Sequence, residues 1–311
     1  MADVALVTGA HGFIGRHVCQ ALAAHGVTVE ALGHGAWSPL EAAKWGISRW
    51  LEADITIESL NQVTNGGAVD AIIHCAGSGS VAYSYSAPFQ DYQRSVTTVA
   101  TVLEFVRSIA VNRPRVVITS SAAVYGDHGD VDLAESSDCA PVSPYGFNKR
   151  AAEDICRSYS RFFGLNISIV RLFSVYGEGL RKQLLWDAVN KLTSGTQQFF
   201  GTGTELRDWI HVVDAADLLC AAAFQSRRQL EVFNGSHEKV TTSHILGLLN
   251  ALLGTQILPV FSGEVHTGNP KRLTADTSYV RSELEWRPNI SLAEGLRRYV
   301  KWIKIIKTKK P

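Results

Sequence analysis

The chain is poor in the features that mark several protein classes. Five cysteines, at positions 19, 75, 139, 156 and 220, form no CxxC pair in 311 residues. An odd, scattered set argues against a disulfide framework and predicts reduced thiols in a cytoplasmic protein. No apolar run reaches the roughly 18–20 residues that cross a bilayer; the richest, around Leu218 to Phe224, is far too short. Strand-like sequence begins at Val4, which leaves no room for a secretory signal ahead of it. Charge of one sign is also absent. Thirty Lys and Arg against 29 Asp and Glu leave +1, which argues against a nucleic-acid binder with a broad basic face. No cluster with metal-ligand spacing occurs, so no metal is expected. Proline is scarce, with 9 residues, whereas 26 glycines punctuate the chain.

What is present is an alternation. Val4–Thr8, Val27–Leu32, Ala71–Cys75, Val116–Thr119 and Ile167–Leu172 are short apolar runs. Helical patterns intervene at Gly12–Ala24, Pro88–Ala110 and Pro144–Phe163. Continuous apolar strands alternating with amphipathic helices predict an α/β fold, a Rossmann-type doubly wound parallel sheet covered on both faces. After Leu172 the pattern loosens. We expect a dinucleotide-binding domain over 1–172, with returns near 209–236, and a smaller C-terminal substrate lobe over 173–311. Apolar stretches at Trp209–Ala223 and Leu230–Asn234, helices at Ser243–Leu253 and from Ser291, and a Gly/Pro stretch at Gly263–Pro270 fill that half. The run Lys301 to Lys310 reads as a solvated helix end rather than a membrane anchor.

The first strand leads into Thr8-Gly9-Ala10-His11-Gly12-Phe13-Ile14-Gly15. Gly9 permits a tight turn, Gly12 lets a pyrophosphate approach and Gly15 lets helix pack on strand, while the helix N-terminus offers unpaired N–H groups. This predicts dinucleotide binding by Gly9, His11, Gly12, Phe13, Ile14 and Gly15. The acid that ends the second strand of such folds, and holds the adenosine ribose, is missing: Gly33 stands there, followed by His34. Losing that carboxylate removes a repulsion against a 2′-phosphate, so the cofactor call NAD(P)(H) leans to NADP(H), with His34 as a weak phosphate partner. Asp54, beside Ile55, is an acceptor for the adenine amino group or a helix N-cap.

Tyr145 and Lys149 follow Pro144 at i and i+4 of a helix, on one face. An ammonium beside a phenol lowers the phenol's pKa from about 10 toward the working range, and Ser121, ending another strand, supplies a hydroxyl. Taken with HCAG at 74–77, SSAAVYG at 120–126, RLFSVYG at 171–177, GTGTELRDWIHVVD at 201–214, FNGS at 233–236 and ELEWRPN at 283–289, the chain resembles the extended short-chain dehydrogenase/reductases of the NAD-dependent epimerase/dehydratase family acting on nucleotide sugars. The resemblance covers nearly the whole chain. It implies catalytic Ser121, Tyr145 and Lys149, with Lys149 also on the nicotinamide ribose. Ala76, Gly77 and Phe173 would lie along the cofactor, and Ser174 near the nicotinamide or the substrate. Arg207 would clamp the substrate diphosphate, with a salt bridge within the lobe as its alternative, and Arg272 would be a second phosphate or ribose contact. It also implies a homodimer built on the two long helices.

Departures narrow the chemistry. Dehydratases of the family carry an Asp–Glu pair where this chain has Ala122 and Ala123, which excludes a 4,6-dehydratase. Ser95 and Ser174 replace asparagines of the family pattern, and Arg181-Lys182-Gln183 is a basic run that either contacts diphosphate or starts a solvated helix. Tyr83, Tyr85, Trp186 and Trp209 are candidate pocket walls. Hydride transfer at C4 of a nucleotide-activated hexose remains. An exchangeable cofactor favours a 4-ketoreductase over a 4-epimerase, and a non-catalytic NADP(H)-binding sensor conflicts with retention of both Tyr145 and Lys149.

Overall fold

The computed structural model describes residues 3–109, 113–265 and 270–308. The end of the helix expected at Ala110, part of the Gly263–Pro270 stretch, and Lys309 and Lys310 therefore lie outside the described residues. The first half runs β1 (Val4–Thr8), α1 (Phe13–Ala24), β2 (Thr28–Gly33), α2 (Pro39–Lys44), β3 (Ile47–Glu52), α3 (Ile57–Thr64), β4 (Ala71–His74), α4 (Val81–Ser86), α5 (Pro88–Tyr92), α6 (Thr98–Ser108), β5 (Arg115–Ser121), α7 (Pro144–Phe163) and β6 (Ile167–Leu172). The second runs β7 (Ser174–Tyr176), α8 (Gln183–Thr193), β8 (Gln198–Phe199), β9 (Leu206–His211), α9 (Val212–Phe224), β10 (Leu230–Gly235), β11 (Glu238–Thr241), α10 (Thr242–Leu253), β12 (Val260–Phe261), β13 (Arg272–Leu273), α11 (Ser278–Leu284) and α12 (Leu292–Thr308).

Among the described residues, seven parallel strands form the main sheet in the order β10-β6-β5-β4-β1-β2-β3. The order reverses between β1 and β4, the crevice where such sheets bind ligands. Two apolar layers sandwich it. One packs α1 and α9 through Val18, Leu22, Leu218 and Leu219; the other packs α3, α6 and α7 through Leu60, Val102, Leu103 and Cys156. Strands β4 and β6 are buried at every position, which is why they read as unbroken apolar runs. β3 does not read that way. Its sequence ISRWLE is interrupted by polar, exposed residues, and Arg49 reaches Glu30 of β2 at 3.8 Å.

The long helix expected from Pro88 is broken by a π-helical turn over Gln93–Thr97 between α5 and α6. Such bulges recur at functional sites, and the Arg94 carbonyl of this one lies beside Gly77. In the second half, β9 pairs with β11 on one side and with β7 and β13 on the other. Trp186 and Trp209, expected as pocket walls, instead pack into the apolar cluster formed with α8, α10 and α12, and Trp209 is buried.

One ion pair crosses the main sheet. Glu153 of α7 receives Arg171 of β6 through two hydrogen bonds of 2.9 and 2.8 Å, and Ser120 of β5 donates to the same carboxylate at 2.7 Å. Arg171 also lies over the Tyr125 ring, 4.7 Å from its centroid. Burial pushes the Glu153 carboxyl up, but Arg171 more than offsets this and holds it below its ordinary value. Removing Arg171 leaves the buried Glu153 carboxylate to the partly exposed Arg157, 3.0 Å away, and removing Glu153 leaves the buried guanidinium without its carboxylate. Arg171→Met should therefore cost about 3–5 kcal/mol in denaturant unfolding, and adding Glu153→Leu should return a large part of it. A single-variant loss under about 1 kcal/mol would contradict this account of the sheet.

Candidate active site

The glycine turn has the shape that phosphate binding demands. Gly9 N–H donates to the Leu32 carbonyl at 2.8 Å, and Gly12 N–H closes back on the Gly9 carbonyl at 2.9 Å. Gly9 has φ +71°, and a Cβ there would fall 2.5 Å from the Ala76 nitrogen; one on Gly15 would fall 2.3 Å from the Gly9 carbonyl oxygen. Only glycine lets these segments of β1, β4 and α1 meet. Helix α1 begins at Gly12 with no side-chain cap and no acid in its first turn, so the N–H groups of Phe13 and Ile14 have no helical acceptor. Their side chains turn away. Phe13 packs on the second-half cluster and Ile14 on the sheet.

At the β2 end, His34 pairs with Asp54 at 3.0 Å, both side chains exposed. Asp54 is not a helix cap, because Thr56 caps α3. Ile55 packs against the sheet layer. His11 lies against Gly35 and 4.5 Å from the Trp37 ring; burial lowers its imidazole pKa first, and the Arg16 charge adds to this.

Across the switch point sit the other predicted residues. Ser143 caps α7 by accepting from Gly146 N–H at 3.2 Å, and Pro144 opens the helix. Tyr145 N–H donates to Ser84 Oγ at 3.0 Å, a contact the sequence did not announce. Ser121 faces the Tyr145 phenol and acts to lower its pKa. Its Oγ also accepts from Ala123 N–H at 3.2 Å. Lys149 is buried, donates from Nζ to the Thr119 carbonyl at 2.9 Å, and lies 5.9 Å from the Tyr145 ring centroid. Gly77 lies beside Nζ and has φ +137°, a backbone conformation that favours glycine.

The electrostatics differ from the sequence expectation. Burial raises the Tyr145 pKa, Ser121 opposes the rise and Asp91 adds to it, so Lys149 does not bring the phenol down here. The ammonium is turned to the Thr119 carbonyl, and burial lowers its own pKa to about 8 against the pull of Asp91. Asp91 is another unforeseen neighbour: fully buried, it accepts from Asn148 Nδ2 at 2.6 Å. His74 completes the floor, bonded to Thr8 Oγ1 at 2.7 Å and held neutral by burial and then Lys149, with its pKa lowered to about 3.

The second half contributes less than expected. Phe173 is buried beside Tyr125, their centroids 6.3 Å apart, and Ser174 opposes Trp209 in the β7–β9 pair. Arg207 donates to the carbonyls of Leu206, Pro270 and Lys271. Arg272 instead pairs with Asp132 at 2.7 Å, a carboxylate that Lys239 also holds at 2.6 Å. In register Arg272 opposes Leu206 and Leu273 opposes Arg207, so the two arginines leave neighbouring strands toward opposite faces. They do not form one clamp. Arg181 lies over Trp302, 5.6 Å from its centroid, and Gln183 donates to the Gly79 carbonyl at 2.9 Å.

The model of the NAD dependent epimerase/dehydratase family matches residues 5–234. The chain belongs to that family. A UDP-glucose 4-epimerase of Azospirillum brasilense is 30% identical, the match covering 94% of this chain and 89% of that protein. A UDP-glucuronic acid 4-epimerase of Bacillus cereus, solved with UDP-glucuronic acid and NAD, superposes with a TM-score of 0.86 at 27% identity over 97% of this chain and 99% of its own. A dTDP-glucose 4,6-dehydratase of Streptomyces venezuelae, solved with NAD, gives 0.87 at 28% identity, covering 98% of both chains. As an epimerase/dehydratase-family member the chain is an enzyme of nucleotide-sugar chemistry with a Rossmann-type sheet.

The Lys149 environment predicts a pH-dependent stability. Its pKa falls from 10.5 unfolded to about 8 folded, so between those values the unfolded state binds the extra proton and stability rises with pH. Relative to Lys149→Met, the wild type should gain on the order of 3 kcal/mol from pH 8 to 10.5 in urea unfolding. A constant difference across that range would contradict a buried, charged Lys149.

Proposed function

We infer that the chain is an NAD-dependent 4-epimerase of a UDP-activated hexose or hexuronate. One observation carries this: Ser121, Tyr145 and Lys149 converge at the β1/β4 switch point beside a glycine turn shaped for a dinucleotide, on a chain whose 4-epimerase relatives match end to end. The similar proteins reported above are 4-epimerases and a 4,6-dehydratase, which support the epimerase over the 4-ketoreductase favoured by the sequence reading. Its premise was the lost ribose acid and a lean to NADP(H), whereas the similar solved enzymes hold NAD and the β2–β3 end carries the carboxylates Glu52 and Asp54, which repel a 2′-phosphate.

The residues divide the work by position. Tyr145 takes the C4 hydroxyl proton and later returns it, and Ser121 holds both that oxygen and the phenol. Lys149, whose ammonium donates to the Thr119 carbonyl, would hold the nicotinamide ribose. Bound NAD would accept the C4 hydride and give it back to the other face of the ketone. The α1 N–H groups neutralise its pyrophosphate, and Arg207 meets the substrate diphosphate. Arg272 is better read as the partner of Asp132. Ala122 and Ala123 put methyl groups where an elimination needs acid and base, so we read the chain as an epimerase despite its likeness to a dehydratase. Exposed Phe89, Tyr92 and Phe147 on α5 and α7 support a homodimer through those helices.

Tyr145→Phe should lower interconversion of UDP-glucose or UDP-glucuronate with its C4 epimer by at least about 100-fold while NAD binding persists. Proton NMR of the sugar, with no cofactor added to the purified enzyme, checks this. Turnover that requires stoichiometric NADPH would restore the ketoreductase, and unchanged turnover would remove Tyr145 from the chemistry.

A further inference from the structure

The end of β2 lacks the carboxylate that this sheet geometry sets beside the adenosine ribose. Gly33 occupies the place, and its Cα stands opposite Glu52, the last residue of β3. Residues opposite each other in paired strands project to the same face. Glu52 therefore rises on the face where a side chain at position 33 would have stood, one strand over. Its carboxylate reaches back across: Oε1 accepts from the Gly35 N–H at 3.3 Å, in the loop that leaves β2. That loop touches the glycine turn, since a Cβ on Gly35 would fall 2.5 Å from the His11 ring. Two basic side chains of this end are already engaged. His34 holds Asp54 at 3.0 Å; Arg16 donates to the carbonyls of His11 and Gly12 and lies over Trp37 and Trp45 at 5.6 and 5.3 Å.

The geometry points to Glu52 as the residue that reads the adenosine ribose, accepting from its hydroxyls and rejecting a 2′-phosphate, in place of the missing β2 acid. The assignment rests on the dinucleotide site described above. A carboxylate on β3 serves because Gly33 brings no side chain of its own to that face, and because glutamate is one methylene longer than the aspartate that commonly ends β2. It also explains how the absence that pointed to NADP(H) is compatible with NAD.

Calorimetric titration of the whole protein with NAD and with NADP tests this without turnover. The wild type should prefer NAD. Glu52→Gln keeps an acceptor for the Gly35 N–H, so the loop survives, but should weaken NAD about tenfold and narrow the preference over NADP. Gly33→Asp in the Glu52→Gln background should restore both, because a Cβ at position 33 meets Gly9 Cα and Trp50 at an ordinary 3.4 Å. A purely structural Glu52 would not be rescued from β2. An unchanged NAD-to-NADP ratio in Glu52→Gln, or no recovery in the double variant, overturns the assignment. A wild type that binds neither dinucleotide overturns the cofactor reading beneath it.

Discussion

Arg171 leaves the next-to-last position of a fully buried strand, where a guanidinium has no water to solvate it, and the architecture of the site follows from how it is answered. Glu153 supplies the matching carboxylate from α7, one helical turn beyond Lys149, and Ser120 adds a hydrogen bond from the residue just before Ser121. The Glu153 carboxylate therefore ties the helix that carries the tyrosine and lysine to β6 through the ion pair, and to β5, the strand that carries Ser121, through the Ser120 hydrogen bond. A buried pair is a weak source of net stability but a strong source of registry, because every shifted arrangement leaves a charge unmet. That is the property a proton-transfer site needs. Ser121 and Tyr145 must meet within hydrogen-bond reach, and they sit on different elements about two dozen residues apart.

The other anchoring contacts follow the same logic of satisfying polar groups where backbone segments converge. Tyr125 donates to Asn234 Oδ1 at 2.7 Å, tying the turn after β5 to the end of β10. Asp208 accepts from the N–H groups of His237 and Ala275, and Asp214 from those of Asn289 and Ile290. These are the polar residues of the family motifs, and here they hold loops. Two anionic ligands can then be served with little net charge. Phosphate is met by N–H groups of a helix end, which explains how a chain of +1 net charge suits a dinucleotide and a nucleotide sugar.

How far the sequence announced this depended on how local each feature is. Fully buried parallel strands show as unbroken apolar runs, so β1, β4, β5 and β6 were legible, as were the glycine turn and the Tyr145–Lys149 spacing. β3 was not, because its exposed Arg49 and Glu52 break the run, and with it went the carboxylate opposite Gly33. Ser84, Asp91 and Asn148 were hidden for a related reason. Their meaning is a contact made across helices, and nothing in the spacing of one helix marks it. Arg207 and Arg272 show another limit. Both were visible as phosphate-type residues, but strand register turns them to opposite faces, and register is not readable from either segment alone.

The central claim is that one site removes a hydride from C4 and returns it to the other face, with Tyr145 handling only the hydroxyl proton. The direct measurement is the fate of a label: UDP-glucose or UDP-glucuronate deuterated at C4, incubated with the enzyme in ordinary water and followed by NMR to epimeric equilibrium. The account predicts that the C4 epimer retains its deuterium at C4. Loss of that deuterium to the solvent, or an epimer carrying protium at C4, would contradict it.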